Sequence, residues 1–291
     1  MPELPRVSVV VPVFNAQETI RECIQSLLHL NYPKANLDLI FVDNASTDKT
    51  SEILSQYEQD IRILHEPTKG PAAARNKGIL NAATEIIAFT DSDCVVDPDW
   101  LLHLVPPLEN PLVGAAGGTI LAKRPFSRIE RYGEIIHDHN SSINVFMPPA
   151  VITMNCTSRL SVLKKVNFFD ERFIRCEDVD LSYRISQSGY MFAFQPHALV
   201  YHSNESTFSD IFREGFLHGF YAVQTIKKHR DYLRSFGHRR FNPASYTAIF
   251  ASLFHGLLAE DHLPGFCSFV FNSGKKIGKI TGSLRFRHLD L

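Results

Sequence analysis

Val7-Ser8-Val9-Val10-Val11-Pro12-Val13 is an almost unbroken β-branched run near the start of the chain. Such a run suits a strand buried on both faces, which is the habit of a parallel sheet covered by helices. The next segments keep to that plan. Gln17–Leu30 puts Ile20, Cys23, Ile24, Leu27 and Leu28 on one helical stripe, and Asn15 with Glu18 three positions on predicts an N-cap and its capping-box partner. Leu37–Val42 reads as a strand, Lys49–Tyr57 as a helix after the turn formers Ser46, Thr47 and Asp48, and Ile61–Leu64 as a short strand. Pro71–Ala83 reads as a helix and Ile86–Thr90 as a fourth strand. The β-α-β-α-β-α-β order predicts a Rossmann-like α/β domain, a mostly parallel sheet flanked by helices. Ligands of such sheets bind beyond the carboxyl ends of the strands. Asn15, Asp43, Asp91 and Asp93 stand at those ends.

Beyond Gly118 the pattern loosens. Phe192–Phe194 and Ala198–Tyr201 read as strands on either side of Pro196. From Thr207 the spacing of Phe208, Ile211, Phe212, Gly215, Phe216 and Gly219 is helical. Asn242–Ala259 has no charged residue, yet Asn242, Pro243, Ser245, Thr247, Ser252 and His255 make it only mildly apolar. Glu260 and Asp261 interrupt it before His262–Phe271. An interfacial or homodimer-forming helix, an ordinary core helix and a membrane span all remain open for this region. The reading is therefore one domain over residues 1–205 and a helical, basic extension over 206–291.

Charge sharpens that division. Residues 1–205 carry 18 Lys+Arg against 25 Asp+Glu, whereas residues 206–291 carry 12 against 6. A basic tail suits an anionic partner, a membrane surface or a phosphorylated acceptor rather than nucleic acid; the plainer account is that it complements the acidic body. The five cysteines are widely spaced, without a C-x-x-C pair, and no secretory leader is evident. Reduced thiols and a cytoplasmic location are expected, with peripheral contact at the cytoplasmic face of a membrane.

Four segments carry chemistry. Asp91-Ser92-Asp93 follows a buried strand, where two carboxylates can point into one cleft and share a ribose and a divalent cation. Mn²⁺ or Mg²⁺ fits them, hard ions on hard oxygen ligands. Glu177, Asp178 and Asp180 crowd three carboxylates into four positions at a helix start, which calls for a metal, arginines or exposure. His202, just past a strand, can complete the coordination of an ion on Asp93. Gly70-Pro71-Ala72-Ala73-Ala74-Arg75-Asn76 lets a ligand approach a helix start closely, with Arg75 ready for phosphate or base. Each has a bland counterpart when read alone: a solvated loop, dipole-favoured acids, a surface histidine, a packing helix. Neither G-x-G-x-x-G nor a Walker A sequence is present, which weighs against dinucleotide enzymes and P-loop NTPases.

In combination these segments resemble the family-2 glycosyltransferases of the GT-A fold, over about residues 6–203. Val-Ser-Val-Val-Val-Pro-Val-Phe-Asn looks like the family's first strand and nucleotide loop, and Val42-Asp43-Asn44-Ala45-Ser46-Thr47-Asp48 like its second-strand loop. Gly70–Asn76 looks like its Gly-x-x-x-Ala-Arg-Asn element and Asp91-Ser92-Asp93 like its D-x-D. Phe169-Asp170-Glu171-Arg172-Phe173 and Glu177-Asp178-Val179-Asp180-Leu181 look like the stretch bearing its catalytic base. The resemblance implies an inverting transfer from a nucleotide-sugar, a UDP-sugar by preference, to a saccharide or lipid-linked hydroxyl, as in cell-surface polysaccharide or glycolipid synthesis. It makes Asp178 the base, with Glu177 the second choice and the acceptor-orienting group. It gives the metal to Asp93 with His202, and has Asp91 share it or hold the ribose. Asp43 would read the base, and Pro12, Phe14, Asn15, Asn44, Arg75 and Ser92 would line the donor site. Cys176 departs from the pattern, since the family more often has glycine before Glu-Asp. The rivals are a nucleotide-sugar-binding protein without turnover, opposed by intact Asp93, Asp178 and His202, and a nicotinamide-dependent oxidoreductase, opposed by the missing glycine fingerprint.

Overall fold

The computed structural model describes residues 4–124, 126–239, 247, 251, 253, 254 and 261–289. Most of Asn242–Ala259, the stretch left open above, lies outside them. The chain forms two compact units, Met1–Lys123 with His137–His202, and Arg124–Ile136 with Ser203–Leu291.

The first unit begins β1 (Val7–Val13), α1 (Ile20–Leu28), β2 (Leu37–Asp43), α2 (Thr50–Ser55), β3 (Arg62–His65), α3 (Pro71–Asn81) and β4 (Ile86–Phe89). β1 pairs in parallel with β2 and β4, and β2 with β3. The valines of β1 are fully buried, packed on one side by Ile20, Cys23, Ile24 and Leu27 of α1 and on the other by the alanine face of α3. The element order therefore follows the hydrophobic pattern closely. The capping box does not: α1 starts at Ile20 after Thr19, and no side chain caps it. Asn15 instead holds a left-handed φ of 48°. Its Oδ1 accepts from the Thr47 amide at 2.8 Å, and its amide donates to Ser46 Oγ at 3.0 Å. The side chain is thus spent joining the β1 and β2 loops.

The sheet continues through β5 (Cys94–Val96), α4 (Trp100–Leu104), β6 (Val113–Ala122), and, past α5 (Gly133–Ile136) of the second unit, α6 (His139–Asn144), β7 (Cys156–Arg159), α7 (Leu160–Lys165), α8 (Glu177–Gln187) and β8 (Met191–His202). Eight strands run in the order β3-β2-β1-β4-β7-β6-β8-β5. β7 is antiparallel to both β4 and β6, and β5 is antiparallel to β8, so the sheet is mixed where the alternating pattern ends. Pro196 does not divide two strands. β8 is continuous, and its pairing with β6 jumps from Gly118↔Gln195 to Thr119↔Leu199, leaving residues 196–198 as a bulge that absorbs the proline. Asn155 locks this corner: it accepts from Trp100 Nε1 at 2.8 Å and donates to the Thr119 and Ala198 carbonyls at 2.9 and 2.8 Å.

The second unit contains α5 (Gly133–Ile136), α9 (Phe208–Lys228), α10 (Arg230–Ser235) and α11 (Leu263–Arg285). Tyr132, Ile211, Cys267 and Phe271 form its core. Gly215 and Gly219 of α9 alternate along the helix seam with Gly274, Gly278 and Gly282 of α11. A methyl group on any of them would overlap a backbone carbonyl of the other helix, those of Phe271, Lys275, Phe212, Phe216 and Phe220 respectively. The four-residue glycine spacing lets two backbones touch without intervening side chains. Among the described residues no helix is long and apolar enough to cross a membrane. None of the five cysteines is joined in a disulfide.

Candidate active site

The carboxyl ends of the parallel strands carry the acids, as the pattern requires. β4 ends at Phe89, Asp91-Ser92-Asp93 makes the turn, and β5 leaves at Cys94. β5 runs antiparallel to β8 with Cys94 opposite His202, and this ladder sets His202 Nε2 3.4 Å from Asp93 Oδ2. The His137 ring packs edge-on against His202, with centroids 5.2 Å apart, and fixes its plane. Burial pushes the Asp93 carboxyl up, but the charge and hydrogen bond of His202 outweigh it and hold the group below its usual range.

Arg75 joins the two acidic segments. It stands in the second turn of α3, whose entry needs Gly70 at φ 127° and then Pro71 at the first helical position. Its side chain is 3% exposed, with Nη2 2.6 Å from Asp91 Oδ1 and Nη1 2.6 Å from Glu177 Oε1. Burial pulls the guanidinium down, while Asp91, Glu177 and Asp178 outweigh it and raise it. For Glu177 the balance differs. Burial raises the carboxyl, Arg75 lowers it and Asp178 raises it again, and the outcome is upward. A cation shared among three acids keeps its own charge and compensates each acid only in part.

The three clustered acids thus have separate fates. Glu177 is buried on Arg75. Asp180 is fully buried, with Oδ2 2.7 Å from Arg184 Nη2. Asp178 is partly exposed at the first turn of α8. The loop before α8 is pinned from two sides. Asn76 donates to the Phe169 carbonyl at 2.9 Å and accepts from its amide at 3.0 Å, and Arg184 donates to the Val166 and Phe168 carbonyls. Cys176 precedes α8 at φ 62°, a left-handed position where glycine is freer, which gives the departure in sequence its structural setting.

A cleft of about 550 Å³ opens above these groups. It is lined by Pro12, Val13, Phe14, Asn44, Lys69, Gly70, Pro71, Arg75, Asp91, Ser92, Asp93, Ile174 and Arg175. Pro12, Phe14, Asn44, Arg75, Asp91, Ser92 and Asp93, seven of the site residues expected from the sequence, are among them, with Gly70 and Pro71 of the helix start. Asn15 lies beside it. Asp43 lies below, nearly buried, with Oδ1 accepting from the Ser46 amide at 3.0 Å and Oδ2 from the Ser51 hydroxyl. Asn44 lines the cleft, yet its Nδ2 donates to the Glu66 and Thr68 carbonyls and its Oδ1 accepts from the Gly70 amide, which makes it the brace of the loop entering α3. Lys69, Ile174 and Arg175 are additions. A cation just ahead of Gly70-Pro71 and another just ahead of Glu177-Asp178 were available signals for a polyanionic ligand. A larger cavity, about 670 Å³, lies at the other ends of the strands between Leu4, Tyr32, Leu101 and Leu160. It is mainly apolar and lacks the convergent acids.

The donor set suits a divalent cation. A carboxylate oxygen and an imidazole nitrogen 3.4 Å apart can both reach an ion at about 2.1 Å, and Asp93 is 43% exposed toward solvent. Asp91 is committed to Arg75 through Oδ1, and among the described residues the ligand atoms that gather within 4.8 Å are those of Asp93, Cys94 and His202, so Asp91 is not placed to share the ion and the ribose is the role left to it.

The model of the family described as "Glycosyl transferase family 2" matches residues 8–167. "Glycosyltransferase AglE" of Haloferax volcanii is 30% identical, with the match covering 79% of this chain and 77% of that protein. "Pre-mycofactocin glycosyltransferase" of Mycobacterium tuberculosis is also 30% identical, over 77% of this chain; the match spans 48% of that longer protein. Among solved structures, the mannosyltransferase PcManGT from Pyrobaculum calidifontis in complex with GDP-Man and Mn²⁺ shares the fold at a TM-score of 0.62 and 21% identity, over 98% of this chain and 79% of that one. S. aureus TarS 1–349 in complex with UDP-GlcNAc does so at 0.57 and 16%, over 97% and 92%.

Proposed function

The chain belongs to glycosyl transferase family 2, and we propose that this glycosyltransferase moves a sugar with inversion from a nucleotide-sugar, a UDP-sugar by preference, to a hydroxyl of a saccharide or lipid-linked acceptor. The observation that carries the proposal is the double ion pair of Arg75, which ties Asp91 on the wall of the cleft to Glu177 and so fixes the first turn of α8, with the partly exposed Asp178, next to that wall. Catalysis belongs to residues 1–205 in this reading.

Phe14, Pro12 and Ser92 border the donor, with Asn15 beside them, and Lys69, Arg75 and Arg175 offer positive charge to its diphosphate. Asp43 reads the base; Ser46 and Ser51 fix its carboxylate, and each oxygen keeps a second lone pair for a ligand N–H. Asp93 and His202 would hold Mn²⁺ or Mg²⁺, and Asp91 would hold the ribose. When bound, such an ion neutralises charge on the departing diphosphate. The acceptor oxygen forms its bond to the anomeric carbon as the bond to the diphosphate breaks, and the hydroxyl proton passes to the Asp178 carboxylate. Glu177, tied to Arg75, orients the acceptor.

We also propose that residues 206–291 attach the enzyme to anionic lipid at a cytoplasmic face. Phe266, Ile277, Ile280 and Leu284 are exposed and recur on one stripe of α11, and Lys276, Arg285 and Arg287 flank it. An apolar stripe with basic borders suits a lipid interface.

A hydrolysis screen across nucleotide-sugars, with and without Mn²⁺ and without acceptor, tests the central reading. One donor should be cleaved in a metal-dependent way. Turnover unaffected by a chelator would remove the metal from it, and cleavage of no nucleotide-sugar would remove the donor.

A further inference from the structure

Asp93, Cys94 and His202 bring three kinds of donor atom, carboxylate, thiol and imidazole, within 4.8 Å of one another. Cys94 lies directly across the β5–β8 ladder from His202. Directly opposed residues of an antiparallel pair leave the sheet on the same face. The Cys94 thiol donates to Asp93 Oδ1 at 3.7 Å, and Asp93 Oδ2 is 3.4 Å from His202 Nε2. A tetrahedral ion with a sulfur ligand at about 2.3 Å and nitrogen or oxygen ligands at about 2.0 Å gives edges of about 3.5 Å and 3.3 Å. The two contacts approach these lengths through different oxygens of Asp93, Oδ1 toward the thiol and Oδ2 toward the imidazole, so a turn of the carboxylate is needed to bring one oxygen, the sulfur and the nitrogen onto a single ion. The Cys23 thiol, the other one nearby, is turned to the Asp91 carbonyl at 3.5 Å and stays outside the trio.

We infer that Asp93, Cys94 and His202 form a three-ligand site for Zn²⁺, which competes there with the hard ion assigned to transfer. The inference rests on the reading of Asp93 and His202 as a metal pair. A thiol beside a carboxylate and an imidazole favours a borderline-soft tetrahedral ion, whereas Mg²⁺ and Mn²⁺ gain little from sulfur. Binding exchanges the Cys94 S–H bond for a sulfur–metal bond and releases the proton to solvent. The fourth position is left to water or to a phosphate oxygen of the donor. Cys94 is fully buried and Asp93 half-exposed, so the ion enters from the cleft side.

Co²⁺ in place of Zn²⁺ gives a direct readout on the full-length protein. The wild type should show an intense near-ultraviolet sulfur-to-cobalt band together with the visible bands of a tetrahedral ion, and Cys94→Ser should lose the sulfur band. By calorimetry Cys94→Ser should weaken Zn²⁺ by more than the roughly 10-fold at which loss of even an outer-shell partner begins, with Mn²⁺ affinity unchanged. Cys94→Ala serves as a second variant, and circular dichroism checks that both are folded. Bound Co²⁺ without a sulfur band, or unchanged Zn²⁺ affinity in both variants, overturns the inference and leaves the Mn²⁺ site standing. If neither Mn²⁺ nor Zn²⁺ binds the wild type, the metal pair itself is wrong and the inference falls with it.

Discussion

Arg75 and Glu177 are 102 positions apart in the chain and meet at 2.6 Å through Nη1 and Oε1, both buried. The same guanidinium reaches Asp91 with its other terminal nitrogen, so one side chain fixes the spacing between the D-x-D turn and the start of α8. Lysine cannot span both acids. Arg75→Lys is expected to lower kcat and donor affinity together, while Arg75→Met, leaving the buried Glu177 and the partly exposed Asp91 without a cation, should cost about 3 kcal/mol of stability. Urea unfolding and steady-state kinetics on the two variants separate these effects. A fully active Arg75→Met protein would contradict the bridging role.

Asp178→Asn keeps size and hydrogen bonding and removes basicity. Donor binding should persist, and turnover should fall by about 10²-fold or more, mostly in kcat. Glu177→Gln retains a partner for Arg75 and should act more mildly, through acceptor KM. If the order of damage is reversed, the base moves to Glu177. NMR of the anomeric product is the independent check: a retained configuration sinks the single-displacement mechanism.

His139 is a source of acid sensitivity away from the chemistry. Its Nδ1 donates to the Gly118 carbonyl at 2.9 Å and its Nε2 accepts from the Ile152 amide at 2.8 Å, an arrangement open only to the neutral ring. Burial, against the Gly118 bond and the charge of Asp138, moves it from the ordinary 6.5 down to about 4. The unfolded chain takes up this proton first, so stability is whole above pH 6.5 and declines as pH falls toward 4, then levels. The loss is about 3 kcal/mol at most. Urea unfolding of wild type and His139→Gln at several pH values should show the wild type alone with this step.

The glycine seam is unforgiving. Gly219→Val would drive a branched side chain into the Lys275 carbonyl of α11. A loss of about 3 kcal/mol, the upper end of overpacking costs, is expected in the second unit. Thermal unfolding followed by near-ultraviolet circular dichroism measures it. A variant melting like the wild type would mean that the helices part easily.

Attachment to lipid is tested by floating the full chain with anionic and neutral vesicles. Binding should require anionic lipid and fall at high salt. The combined change Lys276→Ala, Arg285→Ala and Arg287→Ala should weaken it by about 1 kcal/mol per residue. Equal binding to neutral vesicles would make the contact purely apolar, and none at low salt would dismiss it.

The sequence reveals the parallel half of the fold because strands buried on both faces are written as near-continuous apolar runs, as in Val7–Val13. It also places Asp43, Asp91 and Asp93 at strand ends, since that needs only element order. Pairings between distant segments leave no local trace. Nothing near Cys94 announces that β5 will lie antiparallel to β8 opposite His202, and Arg75 gives no sign of which acids it will meet. Asn15 misleads for a related reason. Its side chain suits a helix cap, but the β2 loop offers it the Thr47 amide first. The glycines of α11 stand at the same four-residue spacing as Gly215 and Gly219, so both halves of the seam are written in the sequence, though their pairing is not.

The helix pair of the second unit has one more property. Its seam sets glycine Cα–H groups against carbonyl oxygens, beside an apolar cluster of Ile211, Cys267 and Phe271. Along the glycines, cohesion comes from dispersion and weak C–H···O attraction rather than from the aversion of hydrocarbon to water. That share of the contact should hold about as well in a headgroup layer as in buffer, whereas the share carried by the apolar cluster depends on water outside it.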